Sequence, residues 1–281
     1  MARTEDGGSW GARGSSEQSW LRPQSVVFTL LAEQVRDRPL ALFSGSFIEV
    51  LSRLGITEHA TRSTLLRMTR RGLLANKRSG RKMYFAMTPR CVALLEDGRR
   101  RIWETGAVNE STAPSWTLLT FSIPESWRRK RYDLRARLTW AGFGPLQNGA
   151  WLAPAEIDVR EIVDELGLAA HVRAFRIQPV APTNPAAIIG ETFDLARLAE
   201  RYRAFIAAWR DDPPAPDPLT LTLRLSTQWL RIIREDPRVP IHLLPADWPA
   251  VEAQRLYRSL HEAHRPAAEA LAAELLDTVP V

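Results

Sequence analysis

Apolar residues recur at helical spacing in two segments near the start of the chain. The first segment, residues 25–36, carries its apolar side chains on one stripe: Val26, Val27, Leu30, Leu31 and Val35. In the second segment, residues 46–54, Ser46 stands where an N-terminal cap belongs, and Gly55 ends the apolar pattern. The spacing therefore predicts two amphipathic helices, with only the short turn 55–57 before a third.

Residues 57–71 predict that third helix, and its two faces differ in chemistry. Thr57 can cap the first turn, since its hydroxyl can accept a bond from a free N–H group, and Gly72 can end the helix. The residues that recur at helical spacing and predict a buried face are Thr61, Thr64 or Leu65, and Met68. The opposite face is long-armed and cationic, and it carries His59, Arg62, Ser63, Leu66, Arg67 and Arg70.

After Gly72 the period of the pattern changes from helix to strand. Met83, Phe85 and Met87 alternate with Lys82, Tyr84 and Ala86, and Ser79-Gly80 supplies a turn that can adopt positive φ. A helix, a short turn, a basic helix and a basic hairpin follow one another in a winged helix-turn-helix, whose second helix enters the DNA major groove. We expect this domain over residues 25–105, preceded by a mobile Gly- and Ser-rich tail over residues 1–24.

The distribution of charge indicates what this domain binds. Residues 57–90 hold nine lysines and arginines against the single acid Glu58, and residues 1–110 hold 18 against 11 acids. The remainder of the chain has 20 against 21, so the excess positive charge lies at the N-terminal end. An extended polyanion is the expected partner, and we predict double-stranded DNA. The predicted DNA contacts are His59, Arg62, Ser63, Arg67, Arg70, Lys77, Arg78, Arg81 and Lys82.

Two other interpretations of the basic face stay open at this point. It can be a solvated surface of a small helical domain, or the domain can be an adaptor that contacts other proteins. The placement of cations on both the helix and the hairpin favours DNA, because the helix can read base edges while the wing holds phosphates.

The middle of the chain has a different order of predicted elements. Strand, helix, two short strands, helix and strand follow one another over residues 116–180, which predicts a ferredoxin-like βαββαβ domain over residues 115–182. Its first helix is the most charged in the protein, and Arg128 and Arg131 belong to it. A solvated outer face and a phosphate contact remain alternatives for this helix.

The last third of the chain predicts helices separated by proline-rich breaks. We expect a mainly helical domain over residues 190–281 that serves effector binding or dimerisation, and hence an α+β fold class for the whole chain. The predicted effector-binding residues are Arg128, Arg131, Thr227, Gln228, Trp229, Arg231 and Trp248. Trp229 and Trp248 can equally be core residues.

Other candidate chemistry is sparse. Cys91 is the single cysteine, so an intrachain disulfide and a cysteine cluster for a metal are excluded, and a buried structural role is favoured over a reactive thiol. His261 and His264 lie three residues apart, which does not match a zinc-protease signature and favours a solvated helix face. No apolar run of about 18 residues predicts a membrane span. We expect a cytoplasmic protein without catalytic residues, bound metal or cofactor.

Four stretches of the sequence resemble the PaaX family of bacterial transcriptional regulators. They are ITEHATRSTLLRMTRRGLL, SGRKMYFAMTPR, TLLTFSIPESWRRKRYDLRARLTWAGFGPL and DPRVPIHLLPADWP, of which the last is the most specific. The resemblance implies a homodimeric repressor that an acyl-CoA, such as phenylacetyl-CoA, releases from operator DNA. It also implies that residues 57–71 are the reading helix and residues 73–87 the wing. The family's His-Glu pair is Thr227-Gln228 here, so a different effector is expected.

The middle domain also resembles the small nuclease of CRISPR spacer acquisition, and this suggests a rival function. That enzyme has a metal-binding aspartate at the end of its first strand, because a carboxylate must hold the divalent cation against phosphate. The corresponding residues here are Phe121-Ser122-Ile123. A metal-dependent nuclease therefore lacks its ligand, and we expect the domain to be a scaffold and a platform for dimerisation or effector binding.

Overall fold

The structure, a computed structural model, describes residues 21–36, 38–112, 115–147, 149–211 and 215–281. Most of the predicted tail, residues 1–24, thus lies outside the described part of the chain. The chain divides into two compact units. The first unit takes residues 1–96, 214–228 and 261–281, and the second takes residues 97–213 and 229–260. The segment 190–281, expected to be one helical domain, contributes residues to both units.

The fold class is α+β, as the sequence predicts. The N-terminal elements are α1 (Pro23–Gln34), β1 (Leu40–Phe43), α2 (Ser44–Arg53), α3 (Glu58–Arg70), β2 (Leu74–Ser79), β3 (Lys82–Met87) and α4 (Pro89–Arg99). The central elements are β4 (Trp116–Phe121), α5 (Arg128–Trp140), β5 (Gly144–Gln147), β6 (Ala150–Ala153), α6 (Arg160–Glu165) and β7 (Val172–Ile177). The last are α7 (Pro185–Thr192), α8 (Leu195–Trp209), α9 (Pro218–Glu235), α10 (Ala250–Leu275) and β8 (Thr278–Pro280).

The predicted start and stop signals of α3 are confirmed. The Thr57 hydroxyl accepts a hydrogen bond from the Ala60 N–H at 3.2 Å, and Gly72 follows the helix with φ +67°. Thr61, Thr64, Leu65 and Met68 are all buried, as their spacing predicts. The polar face of α3 is therefore fixed in direction by the residues that the helix buries.

The core of the first unit combines segments that are far apart in sequence. Its buried cluster includes Val26, Val27, Leu30, Leu31, Phe47, Val50, Leu51, Leu65 and Met68 from α1 to α3, together with Leu219, Leu223, Ala268 and Ala272. The last four belong to α9 and α10. Residues 22–96 consequently share one apolar core with two segments from the end of the chain.

The sheet of the first unit has the strand order β2-β3-β1-β8 and is antiparallel throughout. The hairpin β2–β3 matches the predicted wing, and Gly80 takes φ +58° at its turn. Sequence patterning does not predict β1 or β8. The sequence also places an N-cap at Ser46, and that prediction is wrong: α2 begins at Ser44, and the Ser46 hydroxyl donates to the Leu275 carbonyl at 3.2 Å.

The second unit contains the predicted βαββαβ arrangement. Its antiparallel sheet has the order β5-β6-β4-β7, in which the first and third strands of the motif are central, as in ferredoxin-like folds. α5 and α6 cover one face through the cluster that contains Leu119, Leu134, Leu138 and Trp151. Ile189 of α7 and Val239 pack with Trp116 and Leu152 in a separate cluster.

Buried aromatic residues and one buried carboxyl group link the later elements of the second unit. Trp229 is fully buried and stacks on Tyr257 with ring centroids 4.9 Å apart. The hydroxyl of Tyr202 donates to Asp236, and the Arg238 N–H donates to the same carboxyl group at 2.6 Å. Burial raises the pKa of Asp236 above its ordinary value. Within the residues that the structure describes, no helix is long and apolar enough to cross a membrane.

Tyr202→Phe should destabilise the protein by about 1–3 kcal/mol, because it removes a donor from a desolvated carboxyl group. Since burial raises the folded-state pKa of Asp236, ionisation is unfavourable there, and the Tyr202 bond is worth most when Asp236 is ionised. The loss should therefore shrink as pH falls through the folded pKa. Thermal and urea unfolding at neutral and acidic pH measure it.

Tyr132→Phe is the matched control, since Tyr132 is 73% exposed. Equal stability losses in the two variants would contradict the role given to the bond between Tyr202 and Asp236.

Candidate nucleic-acid interface

The nine predicted DNA-contact residues all lie in the first unit, on α3 and the hairpin β2–β3. Eight of them are exposed, and Ser63 is half-buried. The helix presents a cationic face on the side opposite to its buried residues, and the hairpin adds cations on both of its strands and at its turn. The structure thus collects these residues on one helix–turn–hairpin element.

Arginines of the α3 face are oriented by partners on the same helix. The Arg62 Nε donates to Glu58 at 2.7 Å, and Arg67 donates to the Thr64 hydroxyl at 2.9 Å and to Ser63 at 3.5 Å. The Arg62–Glu58 pair is more than half exposed on both sides. Such a pair contributes little stability, and its guanidinium can exchange a carboxylate for another acceptor.

The cations of the wing differ in their partners. The Arg78 Nε donates to the Gly80 carbonyl at 3.3 Å, within the turn. Lys77 and Lys82 instead contact the end of the chain, at Pro280 and Asp277. Over the described residues, Arg70 and Arg81 have no hydrogen-bond or ion-pair partner, which leaves two guanidinium groups available to an external anion.

One residue on the reading face is apolar. Leu66 is 54% exposed between the arginines of α3. An apolar side chain at such a position is of the kind that contacts a thymine methyl group in the major groove. Helical spacing places Leu66 on the polar face, but the charge pattern that identifies this face does not predict a role for an apolar residue.

The predicted effector residues belong to both units. Thr227 is buried and bonds through its hydroxyl to Thr29 at 2.9 Å, and Trp229 is fully buried. Thr227 and Gln228 belong to the first unit, whereas Trp229, Arg231 and Trp248 belong to the second. Arg128 and Arg131 both pair with Glu125, at 2.9 and 2.8 Å, and Arg131 also caps the Ile123 carbonyl.

A cleft of about 520 Å³ in the second unit includes Trp248. Ile206, Val251 and Pro249 supply apolar lining, and Arg203, Arg210 and Arg255 supply cations. Two of the arginines are engaged by surface acids, Arg203 with Asp247 at 3.2 Å and Arg210 with Glu252 at 2.9 Å. The cleft combines an aromatic ring with exchangeable cations.

The end of β4 lines another surface cleft. Ser122 there is hydrogen-bonded to the His171 backbone, and the His171 ring nitrogen lies 3.0 Å from the Ser122 carbonyl. Thr120, Phe121 and Arg173 complete this side of the cleft. Within the described ranges, no group of three or more His, Cys, Asp or Glu side chains is placed to hold a metal ion.

The expectation of a solvated face at His261 is wrong. His261 is 4% exposed, and its Nε2 lies 3.0 Å from a carboxylate oxygen of Glu33. The other carboxylate oxygen of Glu33 accepts from the Ser226 hydroxyl at 2.9 Å. His261 is thus a buried polar residue of the first unit, satisfied by a partner on α1 that helical periodicity cannot indicate.

Comparisons with known proteins match three consecutive segments of the chain to family models. Residues 22–91 match the family model described as PaaX-like protein, residues 109–189 match the PaaX protein central Cas2-like domain, and residues 193–274 match the PaaX-like protein C-terminal domain. The transcriptional repressor PaaX of Escherichia coli is 27% identical over 274 residues, covering 90% of this chain and 84% of that protein.

A solved structure with a similar fold is the uncharacterized protein Rv0674 from Mycobacterium tuberculosis. Its TM-score to this chain is 0.59, with 22% sequence identity, and the match covers 90% of this chain and 99% of that one. At this identity the likeness shows the fold alone.

Cys91 should be unreactive toward thiol reagents in the native protein. Its side chain is fully buried in the first unit, and burial raises the pKa of the thiol to about 11, so that roughly one thousandth is ionised at pH 8. The guanidinium group of the neighbouring Arg90 donates to the Arg71 carbonyl at 3.1 Å.

An aromatic disulfide reagent should consequently label the unfolded chain within minutes and the native chain far more slowly. Cys91→Ser gives the background rate. Equal rates for native and denatured protein would show that the thiol is accessible.

Proposed function

Since the chain belongs to the PaaX family, we propose that it is a DNA-binding transcriptional repressor. The observation that carries the proposal is the exposed cationic face of α3, continued by the cations of the hairpin β2–β3. The relative from Escherichia coli, a transcriptional repressor by name, supports the same conclusion. The first unit holds 17 lysines and arginines against 13 acids, and this excess would draw it toward DNA.

In this proposal α3 enters the major groove of DNA, and the hairpin lies along the sugar–phosphate backbone. Arg62 and Arg67 would donate to guanine acceptors, the commonest specific contact of an arginine, and Leu66 would face a thymine methyl group. Arg78 and Arg81 at the wing turn would hold phosphates, which position the protein without reading sequence. Release of Arg62 from Glu58 costs little, because the pair is exposed.

We propose that the chain binds its operator as a homodimer. Two copies of α3 would then read two half-sites about one helical turn apart, and the operator would be a pseudo-palindrome. The family resemblance supports the dimer, and closed two-fold symmetry is the commonest arrangement among homo-oligomers.

We further propose that an acyl-CoA thioester releases the repressor, as the family resemblance implies. The cleft beside Trp248 offers fitting chemistry, since the arginines could bind phosphates while the indole ring packs against the acyl group. Arg203 and Arg210 would exchange their surface carboxylates for phosphate at little cost. The residue pair Thr227-Gln228 suggests an effector other than phenylacetyl-CoA itself.

Arg62→Ala should weaken binding to a specific duplex by about five- to 150-fold and relax preference at one base pair, because a bidentate base contact contributes about 1–3 kcal/mol. Arg81→Ala should weaken all duplexes alike and reduce the slope of log K against log salt by about 0.9. Fluorescence anisotropy with a duplex selected from a random pool measures both.

Arg160→Ala serves as the control, because Arg160 is an exposed arginine of the second unit that pairs with Asp158. The assignment of the reading face is wrong if Arg62→Ala and Arg81→Ala bind every duplex as tightly as Arg160→Ala does.

Acyl-CoAs titrated into the protein–duplex complex should dissociate it for at least one member of the series. Arg255→Ala should then raise the half-releasing concentration about tenfold without altering duplex affinity, because it removes a charge-assisted contact from the cleft. Arg160→Ala again controls for general charge. Failure of a broad acyl-CoA panel to release the duplex would exclude a thioester effector.

A further inference from the structure

The last residues of the sequence are a structural part of the wing sheet. We call residues 276–281 the strap. Its strand β8 pairs with β1, with Ala41 opposite Val279. At the start of the strap, the Phe43 N–H donates to the Asp277 carbonyl at 2.9 Å, and the Asp277 N–H donates to the Ser46 hydroxyl at 3.0 Å. Backbone bonds on both sides thus fix the position of Asp277.

The carboxylate of Asp277 is aimed at the wing. It accepts a hydrogen bond from the Lys82 ammonium group at 2.8 Å and another from the Tyr84 hydroxyl at 3.2 Å. The bond to Asp277 raises the pKa of Lys82 above its ordinary value. The same ammonium group lies 4.9 Å from the centroid of the Phe43 ring. Lys82 is therefore directed back over its own sheet.

Lys77 is directed the same way. Its ammonium group donates to the Pro280 carbonyl of the strap at 2.6 Å. Lys77, Tyr84 and Phe43 occupy one register row across β2, β3 and β1, so both lysines lie on the same face of the sheet. The strap holds the ammonium groups of Lys77 and Lys82, whereas the guanidinium groups of Arg78 and Arg81 are not bound to it.

We infer that Asp277 occupies, at Lys82, the place that a DNA phosphate would take, and that it is a positioning residue limiting how far the wing lysines engage a duplex. The inference rests on the proposed DNA-binding function and adds to it an internal competitor. A carboxylate and a phosphate offer Lys82 the same kind of anionic oxygen acceptor. When Lys82 leaves Asp277 for a DNA phosphate, the Asp277 carboxylate stays in place, because Tyr84 and the backbone hydrogen bonds still hold it.

The exposure of the pair makes the exchange feasible. The Lys82 side chain is 54% exposed and that of Asp277 is 36% exposed, so water and salt already screen their attraction. The larger effect of Asp277 is then its negative charge, which stays beside any phosphate that Lys82 binds. Loss of this charge should strengthen duplex binding, and the increase in affinity should require Lys82.

Asp277→Asn tests this directly, since the amide keeps the shape and can still accept from Tyr84 while losing the charge. Duplex affinity should rise about two- to fivefold, the range of an exposed ion pair. The slope of log K against log salt should steepen by up to about 0.9, equivalent to one more phosphate contact. Glu274→Gln is the matched control, because it removes one exposed acid three residues away.

The same substitution in a Lys82→Ala background separates a specific contact from a general effect. If Asp277 acts through Lys82, Asp277→Asn gives no gain in that background. A gain of equal size with and without Lys82, or an equal gain in Glu274→Gln, overturns the inference. So does an unchanged or lower affinity in Asp277→Asn alone.

Two further measurements distinguish failure of the inference about Asp277 from failure of the proposed DNA-binding function. If Arg62→Ala weakens duplex binding while Asp277→Asn changes nothing, the DNA-binding function stands and the inference falls. If the wild-type chain binds no duplex, both the function and the inference fall.

Acylation of Lys82, measured by mass spectrometry, tests the contact between Lys82 and Asp277 without any DNA. It should be faster in Asp277→Asn than in the wild type, and equal rates would contradict the contact.

Discussion

Helix α3 packs on a core that residues 22–96 do not form alone. Leu65 and Met68 of α3 pack in a cluster that includes Leu219, Leu223, Ala268 and Ala272 from α9 and α10. A helical subdomain of this size needs every available apolar contact, because small cores are marginally stable. Residues 22–96 are therefore not a self-contained N-terminal module. Residues 214–228 and 261–281 thus contribute to the core against which the buried face of α3 packs.

Buried polar contacts determine how those distant segments fit. Glu33 on α1 meets the Ser226 hydroxyl at 2.9 Å and the His261 ring at 3.0 Å, and the hydroxyl groups of Thr227 and Thr29 lie 2.9 Å apart. A buried polar group without a partner destabilises the fold more than an apolar residue in its place. A shifted register of α9 or α10 would leave these groups unpaired and is therefore unfavourable. Apolar packing holds the segments, and the polar pairs select one arrangement.

Sequence periodicity predicts the elements whose signals are local and misses those whose partners are distant. The Thr57 cap, the buried residues of α3 and the βαββαβ order follow from neighbours within a few residues. β1 and β8 are too short for alternation to show. β1 pairs with β3 and β8, and β8 pairs with β1, so both strands depend on partners distant in sequence. His261 and Ser46 were misassigned for the same reason, since their partners, Glu33 and Leu275, lie more than 200 residues away.

The same distinction separates the two halves of the proposed DNA interface. Arg62 and Arg67 are oriented by residues at most four positions away. As the proposed base-reading groups they would be pre-organised by their own helix and would lose less side-chain entropy on binding. Lys82 is oriented by a residue 195 positions away. In the proposed interface, sequence reading and phosphate binding would thus depend on different parts of the chain. A change confined to the strap would then alter the strength of DNA binding and leave the recognised sequence unchanged.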